Sequence, residues 1–344
     1  MIQWLALILL MCGGTSFAGE GMNAFQLRHQ SVLKKTKYSD FCVITGDVNT
    51  HENTFSACKG AYSIDRIELI ASASKLVTSV VLMDLVQRKV LSLETRVSDV
   101  LSEWKDLGPK SNITLRQLLS FTSGLRSHKC TNRNINTFNE CVEKIRLAKL
   151  EFSPGSSFDY SGVHMHVAAQ MAIYKLGLKT WNQVFEKFKK KYDVFSEDSK
   201  FYNIRGKKEL NPLAAGGLHT SARLYAEFLS KLLSKSILSQ SSFEIIFSNH
   251  TNKLSVHHSP ISNGIKESWD YGLGVWVECE NATADNMSEC GQVLRYSSPG
   301  AFGFYPWISS DLKHWGVIAM RGKFGIFKKR PDVLGITIGR EFHE

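Results

Sequence analysis

Beyond its first residues the chain has no apolar run long enough to span a membrane; the best candidate is interrupted by Lys75 and Asp84. It has no Cys-x-x-Cys pair, the spacing on which most structural zinc sites are built. It has no glycine loop of the kind that cradles phosphate, no nucleic-acid-binding module, no internal repeat and no low-complexity linker. Acidic residues are also in short supply: 32 Asp and Glu face 42 Lys and Arg, giving a formal charge of +10. The cations are dispersed, with small groups at Lys187, Lys189, Lys190 and Lys191 and at Lys328, Lys329 and Arg330. The plain reading is a solvated surface; the sharper one is attraction to an anionic cell-wall or surface polymer.

What is present points outward from the cell. Met1 to Ala18 is uncharged, has an apolar core from Leu5 to Met11, and ends in the small-x-small pattern Ser16-Phe17-Ala18. It reads as a cleaved signal peptide, residues 1–18, although the usual basic start is missing. Cys12 follows Met11, where a lipoprotein site would need a small residue, so lipidation is not expected. The remainder, 19–344, is long enough for one large two-lobed unit. It holds six cysteines in three local pairs, and an exported chain with an even count suggests disulfides. The clustering favours Cys42–Cys58, Cys130–Cys141 and Cys279–Cys290 over a zinc site. Acceptor patterns for N-glycosylation occur at Asn112, Asn249, Asn281 and Asn286. The expected location is secreted or periplasmic.

The most informative stretch places Ser72 and Lys75 one helical turn apart at the start of a strongly apolar run. Residues at i and i+3 share a helix face, so the amine can lie beside the hydroxyl. A desolvated lysine loses its proton more readily and can act as a base. A serine hydroxyl becomes a useful nucleophile only when such a base takes its proton. The Ser-x-x-Lys spacing alone is common; it recurs at Ser31/Lys34, Ser102/Lys105 and Ser310/Lys313. Those three lie in a polar segment, an irregular stretch before a proline, and a turn between strands. Only Ser72 sits between an apolar lead-in and an apolar helix; the plain alternative is a capping serine on a core helix.

Along the chain, residues 40–60 read as a hairpin turning at Gly46 to Asn49, and the Ser72 helix runs to about Lys89. A second helix starts at Ile113-Thr114-Leu115 and stops at Thr122-Ser123-Gly124. Residues 138–150 and 162–192 read as mostly helical, with Pro154-Gly155 breaking the chain before Tyr160. Thr220 reads as a helix start, and the chain then turns to strand at 275–277, 302–307 and 315–320, with a last helix after Pro331. His164-Met165-His166 reads as two helical residues following Tyr160 rather than a metal pair, and His257-His258 as a loop pair. The order predicts an α+β architecture. An antiparallel sheet is assembled from both chain ends (about 35–70 and 265–344), and a mostly helical lobe (about 71–264) is inserted between them.

Several segments together carry a resemblance. They are Ile70 to Lys75, Leu91 to Val97, Ile113 to Leu125, Pro154-Gly155 with Phe158, Tyr160 and Ser161, Asn211 to Gly217, Tyr271 to Gly274, and Ser298 to Gly303. In this order they resemble the serine β-lactamase-related family, which includes class C β-lactamases, D,D-peptidases and related esterases. The resemblance covers about 35–340 and implies a β-lactamase/D,D-peptidase-like fold. It implies a nucleophile at Ser72, its base at Lys75, and a proton relay at Tyr160, which matches the tyrosine of the family's Tyr-x-Asn element. It places Ser298-Pro299-Gly300 at the family's Lys/His-Ser/Thr-Gly strand motif, with Gly162, Ser298 and Gly300 against substrate. The amides of Ser72 and Ala301 then form the oxyanion hole.

Two departures stand out. Gly162 replaces the asparagine that would contact a substrate amide or hold the lysine. Ser298 replaces the lysine or histidine that would attract a substrate carboxylate, with Arg295 or Lys323 as substitutes. The expectation is an exported serine hydrolase acting through a Ser72 acyl-enzyme on a small-molecule or peptide-like substrate, an ester or amide, without cofactor or metal. Activity on β-lactams and carboxylate-ended peptides is weakened. The alternative is a peptidoglycan-fragment or peptide-binding protein on the same scaffold.

Overall fold

In the computed structural model the described residues are 22–48, 54–132, 137–203, 209–280, 290–322 and 330–343. The proposed signal peptide with Cys12, the acceptors Asn281 and Asn286, and the cations Lys323, Lys328 and Lys329 lie outside them. The elements run in chain order from α1 (Ala24–Lys35) through β1 (Phe41–Asp47), β2 (Phe55–Lys59) and β3 (Glu68–Leu69) to α2 (Ser74–Gln87). Next come α3 (Val97–Val100), α4 (Leu115–Leu119), α5 (Phe138–Leu147), β4 (Ser157–Asp159), α6 (Val163–Lys175) and α7 (Trp181–Tyr192). They are followed by β5 (Lys200–Phe201), β6 (Leu218–Thr220), α8 (Ala222–Leu233), α9 (Gln240–Phe247), β7 (Ser255–His258) and α10 (Pro260–Gly264). The chain closes with β8 (Asp270–Tyr271), β9 (Trp276–Cys279), β10 (Val293–Ser297), β11 (Tyr305–Ser309), β12 (His314–Ala319) and α11 (Pro331–His343).

Seven strands form one antiparallel sheet in the order β2-β1-β12-β11-β10-β9-β8. Its strands come from 41–59 and 270–319, so the two chain ends do meet in one sheet, and the fold is the expected α+β arrangement. The terminal helices α1 and α11 pack together, α11 lying against β11 and β12, while α8 packs against β1 and β12. A helix from the middle of the chain thus also covers the sheet. Helix α2 is buried all round from Ser74 to Leu85 and packs against α6 and α9. Such a helix belongs at a domain core, which is why its sequence reads as an apolar run rather than a stripe.

Local chemistry sets the helix starts. Thr114/Gln117, Thr137/Glu140 and Thr180/Gln183 each close a reciprocal capping box at the head of α4, α5 and α7. One unassigned segment takes shape and two expectations shift. The polar segment holding Ser31 is a helix, α1, opened by an Asn23/Gln26 capping box. The cap of α8 is Ser221, because Thr220 is drawn into β6 by pairing with Glu68. His257-His258 is a strand, not a loop: β7 runs parallel to β4. A four-residue polar strand with one neighbour carries no apolar alternation to read. The three expected disulfides, Cys42–Cys58, Cys130–Cys141 and Cys279–Cys290, all form. Among the described residues no helix is long and apolar enough to cross a membrane.

Candidate active site

The site is built outward from the junction of β3 and α2. Ile70 donates its amide to Leu218 O, which ties the end of β3 to β6. The chain then turns through Ala71, whose φ of 48° is left-handed, into a 3-10 turn, Ala71–Ala73, that runs directly into α2. A non-glycine residue in that region is held there by its surroundings, and such strain gathers at functional sites. Ser74 supplies part of the hold: its hydroxyl donates to Ala71 O at 2.6 Å and accepts from the Leu218 amide at 3.1 Å. Tyr225 adds a hydrogen bond to Ala73 O at 2.9 Å. The sequence gives no hint of the Ser74 bridge beyond a lone hydroxyl at a position that the helix buries.

Lys75 lies one turn on, 4 % exposed. Its Nζ is 2.9 Å from Ser72 Oγ and donates to Ala215 O at 2.8 Å. One residue earlier, Ala214 O accepts from the Thr78 hydroxyl at 2.7 Å, so the 211–217 segment is fastened to α2 at two points. The Ala215 carbonyl thus fixes the lysine beside Ser72. Burial pushes Lys75 down from the ordinary lysine value to about 7, because the charged form loses its water. Near neutrality a substantial fraction is therefore the free amine, able to accept the Ser72 proton.

Tyr160 completes the cluster. Lys75 Nζ lies 4.6 Å from its ring centroid, and the neighbouring Ser72 and Trp276 side chains partly offset the effect of burial on its phenol. The ring stacks on Trp276 at 5.0 Å and meets the edge of Phe121 at 5.4 Å. Burial raises its pKa above the usual phenol value, so it stays protonated and serves as a neutral donor and acceptor. Trp276, the platform beneath this phenol, was not foreseen as a site residue; its nearest sequence signal is an aromatic just past the Tyr271 to Gly274 segment.

The far wall is the end of β10. Ser298 is 3 % exposed, donates its hydroxyl to Ser72 O at 3.0 Å and its amide to Pro306 O at 3.2 Å, so it braces the peptide that follows Ser72. Gly300 donates to Phe304 O at 2.7 Å, and a Cβ there would sit 2.2 Å from Ile70 O; only glycine lets the two segments approach this closely. Ala301 follows at the rim, partly exposed. Among the described residues neither the Ser72 nor the Ala301 amide donates to a backbone carbonyl. Gly162 caps α6 beside Lys75's partner: a Cβ there would meet Ala215 Cβ and Leu213 Cδ1 at 3.5 Å and Thr131 Oγ1 at 3.9 Å.

Other residues noted in the sequence lie elsewhere or are already engaged. Arg295 does not replace the missing cation: it is 7 % exposed and faces buried Glu278 at 3.5 Å. A sheet position opposite Glu278 left it no route to the cleft. His166 hydrogen-bonds Asn211 at 3.1 Å, while His164 lies between Ser123 and the Asp159 carbonyl, so the two do not share a metal-binding geometry. Asp270, Cys279 and Cys290 cluster closely, but both sulfurs are in a disulfide and supply no thiolate. Of the four Ser-x-x-Lys spacings, only Ser72 and Lys75 hydrogen-bond each other among the described residues.

Residues 59–187 match the family model described as Beta-lactamase. No curated protein sequence matches the chain. Among solved structures it is similar to a candidate β-lactamase from Bacteroides dorei DSM 17855, with a TM-score of 0.74 and 24 % identity over 92 % of this chain and 96 % of that one. It is similar to the penicillin-binding protein from Bacillus halodurans, TM-score 0.67 and 16 % identity over 90 % and 99 %. A third likeness is to EstCE1, a hydrolase with promiscuous acyltransferase activity, TM-score 0.67 and 14 % identity over 93 % and 97 %.

Proposed function

From a chain with the β-lactamase and penicillin-binding-protein fold, matched to the β-lactamase family model across its Ser72–Lys75 segment, we propose a serine hydrolase working through an acyl-enzyme on Ser72. The observation that carries this reading is the 2.9 Å contact between Ser72 Oγ and a buried lysine whose pKa lies at about 7. Lys75 as free amine takes the hydroxyl proton as Ser72 Oγ bonds to the acyl carbon. The oxygen that gains negative charge lies between the Ser72 and Ala301 amides. As the tetrahedral species collapses, the bond to the leaving group breaks. That group takes a proton from the Tyr160 phenol, and the phenolate takes the proton that Lys75 removed from Ser72, which leaves the amine free again. Water then attacks the ester, giving its proton to the same pair, and the acid leaves.

The substrate class follows from what the site lacks. Gly162 offers no amide side chain and Ser298 no charge, and Ser298's hydroxyl is already given to Ser72 O. Neutral esters fit this wall better than carboxylate-ended peptides, and β-lactam turnover is expected to be slow. Export is part of the proposal, supported by the three disulfides, which form and persist in oxidising compartments.

The test is intact mass after exposure to a panel of aryl esters, thioesters and β-lactams, for wild type and Ser72→Ala. Wild type should gain the acyl mass on Ser72, and the variant should gain none. Its kcat/KM for an aryl ester should rise with pH to a plateau above about 7, because only deprotonated Lys75 is a base. Two pH units below that value the rate should be about a hundredfold lower. Equal background rates in wild type and Ser72→Ala would leave only a binding protein on this scaffold.

A further inference from the structure

We propose that His164 is a positioning residue that fixes the peptide carrying Tyr160, so that the phenol reaches the leaving group; this rests on the serine-hydrolase reading above. His164 is fully buried, with both ring nitrogens engaged. Nε2 lies 2.9 Å from Asp159 O, the carbonyl of the Asp159–Tyr160 peptide, and Nδ1 lies 2.7 Å from Ser123 Oγ. A carbonyl oxygen can only accept, so Nε2 carries the hydrogen and Nδ1 accepts from the Ser123 hydroxyl. The contacts thus select one tautomer of a neutral imidazole, and burial keeps it neutral by holding the ring at about 4.

The same peptide is held from its other side. The Tyr160 amide donates to His258 O at 3.0 Å. Both polar ends of the link between Asp159 and Tyr160 are therefore fixed, one by α6 and one by β7. The histidine also supports the side chain. The Phe121 ring stacks on His164 at 4.9 Å and in turn meets Tyr160 edge-on at 5.4 Å. Phe121 has a left-handed φ of 60°, and its carbonyl accepts the Asp159 amide at 3.0 Å. The place of His164 in the chain, four residues past Tyr160 on the first turn of α6, lets it reach back to the peptide just before the tyrosine.

A residue acting through Tyr160 should matter most where proton donation is hardest. The experiment compares two esters of the same acyl group, one with a phenol and one with an alkyl alcohol as leaving group, on wild type, His164→Leu, His164→Gln and Ser123→Ala. The phenol leaves with little help; the alkoxide needs its proton in the transition state. His164→Leu should lower kcat/KM about a hundredfold on the alkyl ester and about tenfold or less on the aryl ester. His164→Gln restores an N–H aimed at Asp159 O and should recover most of the alkyl-ester rate. Ser123→Ala keeps the ring but frees its tautomer, and should show the same leaving-group bias at smaller size; it carries the test should His164→Leu not fold. Losses equal for both esters, or no loss, in the folded variants overturn the role of His164 while leaving the hydrolase in place. A wild type inert to both esters overturns the hydrolase reading itself, and this inference with it.

Discussion

The decisive residue is a lysine kept where lysines are unstable. Its folded pKa of about 7 lies below the ordinary lysine value, so folding must strip a proton or bury a charge. The sign follows directly. The cost is full below about pH 7, where the unfolded amine is charged and the folded one must be desolvated; it fades as pH rises towards the unfolded value and both states become neutral. Lys75→Met, similar in length and apolar, should therefore be inactive yet more stable at pH 6 by about 1–3 kcal/mol. This is less than the full linkage, because Ala215 O is left without its donor. The advantage should shrink between pH 7 and pH 10 in urea titrations of the two proteins; equal midpoints at pH 6 would show that the amine is not desolvated as described. The serine and lysine of this pair were legible in the sequence, since spacing and apolar flanks are one-dimensional signals. The Ala215 carbonyl and the Trp276 platform were not, because a backbone acceptor has no residue signature and a stacked indole reads like any core aromatic.

At the scale of elements, the turn that carries Ser72 is held by contacts between segments that sequence order keeps far apart. Ser74 links the strained Ala71 carbonyl to the Leu218 amide of β6. Ser74→Ala takes the hydroxyl acceptor from the buried Leu218 amide, while Ala71 O keeps the Ser74 amide, and should cost about 1–3 kcal/mol in denaturant unfolding. It should also lower the rate at which an activated ester labels Ser72, since the turn that aims the hydroxyl loses its bridge. Gly300 marks the opposite contact, where the end of β10 meets Ile70 O. Gly300→Ala should force these segments apart and cut labelling by about a hundredfold, the effect of losing an oxyanion donor, with a smaller change in substrate affinity. An unchanged rate would remove Ala301 from the proposed oxyanion hole. Helix starts at α4 and α5 were open to reading because Thr-x-x-Gln/Glu boxes are local, whereas 162–192, read as one stretch, divides into α6 and α7 at the Thr180/Gln183 box. Strands β7 and β10 were not, since each depends on partners distant in sequence rather than on its own alternation.

For the molecule as a whole, the parts at 72, 75, 160, 215, 276, 298 and 301 come together only when the seven-stranded sheet has closed from both chain ends over the helices between them. The overall plan, sheet at the ends and helices in the middle, could be foreseen from the succession of apolar periods. The joining of α8 to the sheet face could not, because its amphipathic pattern says that one side is covered without saying by what. Closing contacts between ends of the chain is entropically demanding and slow. On dilution from denaturant with the disulfides intact, far-ultraviolet ellipticity should return before covalent labelling at Ser72; simultaneous recovery would mean that the site forms within an early subdomain. The chain-end origin of the sheet thus acts as a quality check. A molecule whose last strands have not docked would carry Ser72 and Lys75 yet lack the wall formed by 298–301, and on the proposed mechanism it should not be labelled.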